Sequence, residues 1–344
     1  MTSVRLALIG AGRIGVRHLE TIAQVEEADL VAVADASPTV KGIAERYGVT
    51  FYDNYKAMLA EVKPDGVIVA TPTELHLAPA LAALENGAHV LIEKPITGTL
   101  GEAQILIEKS RATQREVLVG HHRRYYPFVH KAREIVRSGG LGQLVAVNGQ
   151  WTLRKADSYF DQVWRQKREA GPILINLIHE FDCLRYVCGE ITSLSAELAS
   201  TVRGHEKEET AAIILRFENG ALGTFLLSDS AASPWAWEFG FHENPEFPPA
   251  HQNASRFVGD SASLEFPNLK LWRHDDTARG WNTPLRSEDK SCTPEDAYIN
   301  QCKHFCRVIQ GEEAPRITAE DATRSLQATL AVFDAAESGQ RITL

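Results

Sequence analysis

Through the first third of the chain, short apolar runs alternate with stretches whose apolar positions follow a helical period. VRLALIG, ADLVAVAD, GVIVA, HVLIEK and EVLVG are rich in β-branched residues and bounded by Gly, Pro or Asp, which predicts strands. Between them, RIGVRHLETIAQV, PTVKGIAERYG, NYKAMLAE, TELHLAPALAALENG and TLGEAQILIEKSRATQ carry helical spacing, and several end at Gly or Asn. Near-continuous apolar strands alternating with helices predict a doubly wound parallel sheet with both faces covered. The pattern holds as far as Gly120.

After Tyr126-Pro127 the texture changes. A helix over 128–138 leads through Gly139-Gly140 into longer strands of alternating polarity, LVAVNGQWTLR, ITSLSAELAST, TAAIILRFENG and ALGTFLLSD. FENGALGTF reads as a hairpin turning at Asn219-Gly220. This predicts a second α/β domain with a predominantly antiparallel open sheet, so the domains are placed at residues 1–122 and 123–344. Residues 233–253 read as an ordered loop, within which Trp235 and Trp237 alternate as in a strand. Helices are expected over about 295–310 and 319–338.

Composition narrows the class. The 344 residues suit two domains, and 44% hydrophobic with 24% charged residues is a globular profile. Thirty-six basic against 45 acidic side chains, a net charge of −9, argues against nucleic acid as a partner. LALIGAG is too short for a membrane span or signal peptide, so no membrane association is expected. Five cysteines without CxxC spacing fit a reduced, cytoplasmic setting. Cys302, His304 and Cys306 match no usual zinc spacing, and no metal is expected.

Gly10-Ala11-Gly12-Arg13-Ile14-Gly15 fits the GxGxxG pattern, directly after a strand and opening a helix. Gly10 permits the turn, Gly12 lets backbone amides approach a pyrophosphate, and Gly15 allows close helix–strand packing. The first domain therefore reads as a Rossmann dinucleotide-binding domain. Asp35 ends the second apolar strand, where a carboxylate accepts ribose hydroxyls and repels a 2′-phosphate. NAD is favoured over NADP, with Lys41 and Arg46 the cations able to fold back. Glu93-Lys94-Pro95 ends the HVLIEK strand, and a lysine there either serves the site or reaches solvent beside Glu93.

GAGRIGVRHLE, ATPTELH, EKPITGT and GHHRRYYP, in this order, resemble the Gfo/Idh/MocA oxidoreductase family. The resemblance continues through AGPILINLIHEFD, FVGDSASLEF and YINQCKHFCRVIQGEEAP and spans nearly the whole chain. It implies hydride transfer between nicotinamide and a ring hydroxyl of a sugar, polyol or inositol, in a homodimer or homotetramer. It places Lys94 beside the reacting oxygen, and Thr71, Pro72 and His76 along the nicotinamide pocket with Glu93. It matches His179 to the catalytic histidine and Asp182 to the acid after it. The aspartate expected four residues before that histidine is Ile175 here, with Asn176 beside it. Asn176 can orient a group but cannot accept a proton, so proton transfer falls to His179. The alternative for His179 is a core histidine in an apolar helix.

Substrate candidates are His122 and Arg123, after the last apolar strand, and Trp151, Arg154, Trp164 and Arg165, which interleave aromatics with cations. Arg124 is expected in solvent. His18 has no derivable role. Three further functions stay open: dehydrogenation of a carboxylated cyclic cis-diol, an NAD-using glycosidase or lyase without net redox change, and a non-catalytic NAD-binding regulator.

Overall fold

The first strand, β1 (Val4–Ile9), is buried at every position but Arg5, as a strand with a helix layer on each face must be. It lies in a six-stranded parallel sheet with β2 (Ala28–Ala34), β3 (Thr50–Tyr52), β4 (Gly66–Val69), β5 (His89–Ile92) and β6 (Val117–Val119). The order is β3-β2-β1-β4-β5-β6. Strand order reverses between β1 and β4, the point at which open parallel sheets bind ligands beyond the strands' carboxyl ends. The edge strand β3 was not expected, because three residues are too few to show a period. The computed structural model describes residues 3–241, 247–274 and 280–344.

Two units cluster separately: the chain up to Tyr125 with Glu295–Leu326, and Tyr126–Pro294 with Gln327–Leu344. Residues 295–326 thus return to the Rossmann unit, although the sequence reading counts them with the second domain. Helix Ala297–Ile309 explains the return: its Cys302, Phe305, Cys306 and Val308 are buried in one core with Leu6, Leu8, Val33 and Ile68. Gly66 makes the room, since a Cβ there would stand 2.6 Å from the Ile309 side chain.

The second unit is built on a nine-stranded sheet. Its strands are β7 (Leu144–Thr152), β8 (Ile191–Ala199), β9 (Thr210–Phe217), β10 (Leu222–Ser228), β11 (Ser255–Gly259), β12 (Ala262–Phe266), β13 (Lys270–His274), β14 (Leu285–Asp289) and β15 (Ile342–Thr343). The order is β14-β13-β12-β11-β7-β10-β9-β8-β15, antiparallel except where β10 runs parallel to β7. On β9, Ala211, Ile213, Leu215 and Phe217 face inward while Ala212, Ile214 and Arg216 face out. Helix Ile178–Cys188 covers the inner face, with Phe181 edge-on to Phe225 at 6.3 Å. On the outer face Ile214 is 54% exposed, Leu222 49% and Leu226 42%, interspersed with Arg216 and Thr224.

The strand expected around Trp235 and Trp237 is replaced by a short helix, Trp237–Phe241. Trp237 is drawn inward onto Phe128 and Phe266, at 5.3 and 5.4 Å, and a helical turn delivers it there. Residues 242–246 of the 233–253 stretch lie outside the described residues. No helix among the described residues is long and apolar enough to cross a membrane.

Candidate active site

The glycine loop follows β1. Gly10 takes a positive φ of 90°, and a Cβ on it would stand 2.8 Å from the backbone of Ala70 and Thr71. A Cβ on Gly15 would stand 2.1 Å from the Gly10 carbonyl oxygen. Gly12 differs: nothing lies within 4 Å of where its Cβ would be. The loop is closed by backbone at both ends and open in the middle. Helix Arg13–Ile22 begins there with no side chain capping its first-turn amides, so those N–H groups and the helix dipole suit a pyrophosphate. Arg13 and Ile14 supply two of the amides in that turn.

Asp35 binds this loop. Its carboxylate accepts hydrogen bonds from the Ala11 amide at 2.8 Å and the Ser37 amide at 2.7 Å. The charge is thereby held against the glycine turn, with lone pairs left for ribose hydroxyls.

At the ends of β4 and β5, His76 fastens two segments together. Its Nε2 lies 2.8 Å from the Thr71 carbonyl oxygen and its Nδ1 2.9 Å from that of Pro95. Burial pushes this imidazole below its usual pKa, against the pull of those carbonyls and of Glu93. The neutral ring carries one N–H, so it donates to one of these carbonyls and packs against the other, standing between Thr71-Pro72 and Lys94-Pro95. Desolvation pushes the Lys94 ammonium down, Glu93 opposes this, and Arg123 adds to it.

Glu93 is buried beneath Lys94 and lies 2.8 Å from His18 Nε2. Burial alone would raise its carboxyl, but His18 first, then the charges of Lys94 and His122, hold it below the usual carboxylate range. Gly120 leaves room for it, since a Cβ there would stand 2.9 Å from the carboxylate. His122 stacks on Tyr298 at 4.5 Å, and His18 meets the edge of the same ring at 5.7 Å. His18 and Tyr298 were missed from sequence: their partners lie about 75 to 280 residues away in the chain. Arg124, expected in solvent, is buried and paired with Asp321 instead. Cys302 and Cys306 pack in the core, and His304 accepts a hydrogen bond from the Arg316 amide at 3.0 Å.

The second unit holds the other candidates. His179 and Asp182 are buried on helix Ile178–Cys188. The preceding turn, Ile173–Leu177, is a wide π-turn rather than the regular helix assumed from sequence. Glu208 secures its start by accepting from the Ile173 amide at 2.9 Å, and burial raises the Glu208 carboxyl. Asn176 lies in this turn, and its Oδ1 accepts from Lys155 Nζ at 3.1 Å.

Lys155, which sequence reasoning passed over for its neighbour Arg154, sits among aromatic rings. Its amine is 5.6 Å from the Trp151 ring centre and 5.1 Å from that of Tyr159. Trp151 is itself buried, its indole N–H donating to Glu238 at 2.9 Å. Arg165 lies over the Tyr159 ring at 4.3 Å and donates to the Tyr159 carbonyl at 3.0 Å. Arg154 pairs with Asp157 at 3.0 Å, and Trp164 is exposed, donating to Gln162 at 2.8 Å.

Comparison with known proteins accounts for both units. A family model described as an oxidoreductase family with an NAD-binding Rossmann fold matches residues 4–121. A second, for the GFO/IDH/MocA C-terminal domain, matches residues 129–265. The scyllo-inositol 2-dehydrogenase (NAD(+)) of Bacillus subtilis strain 168 is 26% identical over 99% of this chain and 96% of its own length. The D-glucoside 3-dehydrogenase of Escherichia coli K12 is 25% identical over 100% and 99%. Among solved structures, an oxidoreductase from Agrobacterium radiobacter in complex with NAD+, L-tartaric acid and magnesium superposes with a TM-score of 0.84. It covers 99% of this chain and 98% of its own, and at 19% identity the likeness is one of fold.

Proposed function

We propose that this chain, which belongs to the Gfo/Idh/MocA family of NAD-binding oxidoreductases, oxidises a ring hydroxyl of a sugar, polyol or inositol. The observation that carries the reading is the buried His76 ring, which stands between the Thr71 and Pro95 carbonyls at the ends of β4 and β5, beside the desolvated Lys94. The substrate class rests on what the inositol and glucoside dehydrogenase relatives are named for.

Bound NAD supplies the nicotinamide carbon that takes the hydride. The first-turn amides after Gly12 and the Asp35 carboxylate hold its phosphates and ribose, and Asp35 disfavours a 2′-phosphate. His179 takes the hydroxyl proton as the carbon–hydrogen bond gives up its electron pair and the carbon–oxygen double bond forms. Lys94 stabilises the negative charge that develops on that oxygen. Asn176 orients substrate rather than taking a proton. His122, Arg123 and Arg165 are the remaining polar candidates for substrate contact.

The exposed Ile214, Leu222 and Leu226 on the outer sheet face support assembly of the chain as a homodimer or homotetramer through the open sheet.

The test is NADH absorbance against a panel of inositols, aldoses, glucosides and sugar acids, with NAD and NADP in parallel. NAD-dependent signal with one class supports the reading. Silence across the panel with NAD demonstrably bound refutes it.

A further inference from the structure

We infer that Lys155 is a substrate-binding residue, and that its amine and the Asn176 amide form one donor pair gripping two neighbouring oxygens of the substrate. This rests on the dehydrogenase reading above and adds to its Asn176 a second residue, Lys155, which that reading leaves unassigned.

The argument begins with valence. An ammonium only donates, so Lys155 fixes which end of the Asn176 amide faces it: Oδ1 is turned to the amine at 3.1 Å and Nδ2 is turned away. Nδ2 has no protein acceptor among the described residues. One turn before His179, the helix thus presents an amide with two N–H bonds left for a ligand.

The amine is short of strong partners too. Its nearest carboxylate, Asp229, stands 3.8 Å away, beyond hydrogen-bonding distance, and is held more closely by Lys207 at 2.7 Å. The other groups facing it are the Trp151 and Tyr159 rings, Glu238 and Glu208. Lys155 keeps 13% of its side chain accessible, enough for a ligand atom to reach the nitrogen. Burial first, then Lys207, lowers its pKa to about 8, against Asp229, Glu238 and Glu208.

A buried lysine serving only to neutralise Asp229 would sit against that carboxylate, as Lys207 does. Lys155 instead turns to a neutral amide that cannot compensate its charge. The amine in the segment after β7 and the amide in the π-turn, joined at 3.1 Å, are neighbouring donors that suit acceptor oxygens on adjacent carbons, as in a vicinal diol.

The experiment uses the full-length protein with NAD and whichever panel compound wild type oxidises. Lys155→Met is expected to lower kcat/KM about 100-fold with the KM for NAD unchanged, and Lys155→Arg to restore part of the loss. Asn176→Asp places a carboxylate on the amine, so the limb of the kcat/KM profile near pH 8 moves up by a unit or more. Circular dichroism establishes that each variant is folded. Lys155→Met within threefold of wild type, or coincident pH profiles for wild type and Asn176→Asp, overturns the proposal.

If no panel compound is oxidised, the dehydrogenase reading fails, and this inference is decided by pulse acetylation read by peptide mass spectrometry. Protection of Lys155 from labelling by a vicinal polyol such as myo-inositol, lost in Asn176→Ala, supports it. Equal labelling with and without every panel polyol overturns it.

Discussion

Lys155→Met is expected to make the fold more stable while removing activity. Lowering the amine from 10.5 to about 8 means that the native state disfavours the ammonium by about 3 kcal/mol relative to the unfolded chain. Methionine is similar in length and removes that penalty. It also leaves Asn176 Oδ1 without its donor, a loss of about 1 kcal/mol, while Asp229 keeps Lys207 and Arg203. The net gain is about 2 kcal/mol at pH 7, or roughly 4–8 °C in the transition of a unit of this size. The sign with pH follows from proton linkage. Between about pH 8 and the ordinary lysine value the unfolded chain binds more protons than the native one, so wild type gains stability as pH rises. The advantage of the variant is therefore full below pH 8 and shrinks above it. Differential scanning calorimetry of both proteins at pH 7.0 and 9.5 measures this. A variant melting below wild type at pH 7, or a gap that does not change with pH, refutes the reasoning.

Three further outcomes follow from the geometry. Gly15→Ala drives a Cβ to 2.1 Å from a backbone oxygen, so NAD affinity should fall at least tenfold by fluorescence titration and stability by about 2 kcal/mol. His18→Leu leaves Glu93 buried without its main partner. The depressed carboxyl stabilises the fold above its unfolded pKa and loses that effect as pH falls, so the variant's acid-unfolding midpoint should move up in a circular dichroism titration. Ile214→Asp with Leu226→Asp puts two charges on the outer sheet face, and light scattering should show a smaller assembly than wild type.

The parallel sheet was legible because β1, β4, β5 and β6 are buried on both faces, a pattern that survives without knowledge of neighbours. The glycine loop was legible because its function depends on backbone shape, and glycine is the only residue that fits at Gly10 and Gly15. The π-turn was not: its sequence, ILINL, has no breaker, and a regular helix through it is equally compatible with the apolar pattern. Lys155 was hidden because nothing in RKAD distinguishes a solvated lysine from one held between two rings. His18 and Tyr298 belong to the same class, polar residues whose meaning lies in partners far along the chain.

The discontinuity of the Rossmann unit bears on how the protein is made. Its first segment leaves the ribosome complete at Tyr125, but helix Ala297–Ile309, which carries Phe305 and Cys306 into its core, follows only after about 170 more residues. At roughly 5–20 residues per second, the six-stranded sheet waits about 10–30 s with that apolar groove uncovered. The nascent chain therefore exposes a hydrophobic surface for longer than the sheet needs to form, and its yield in the cell depends on what shields that groove until the last helices arrive.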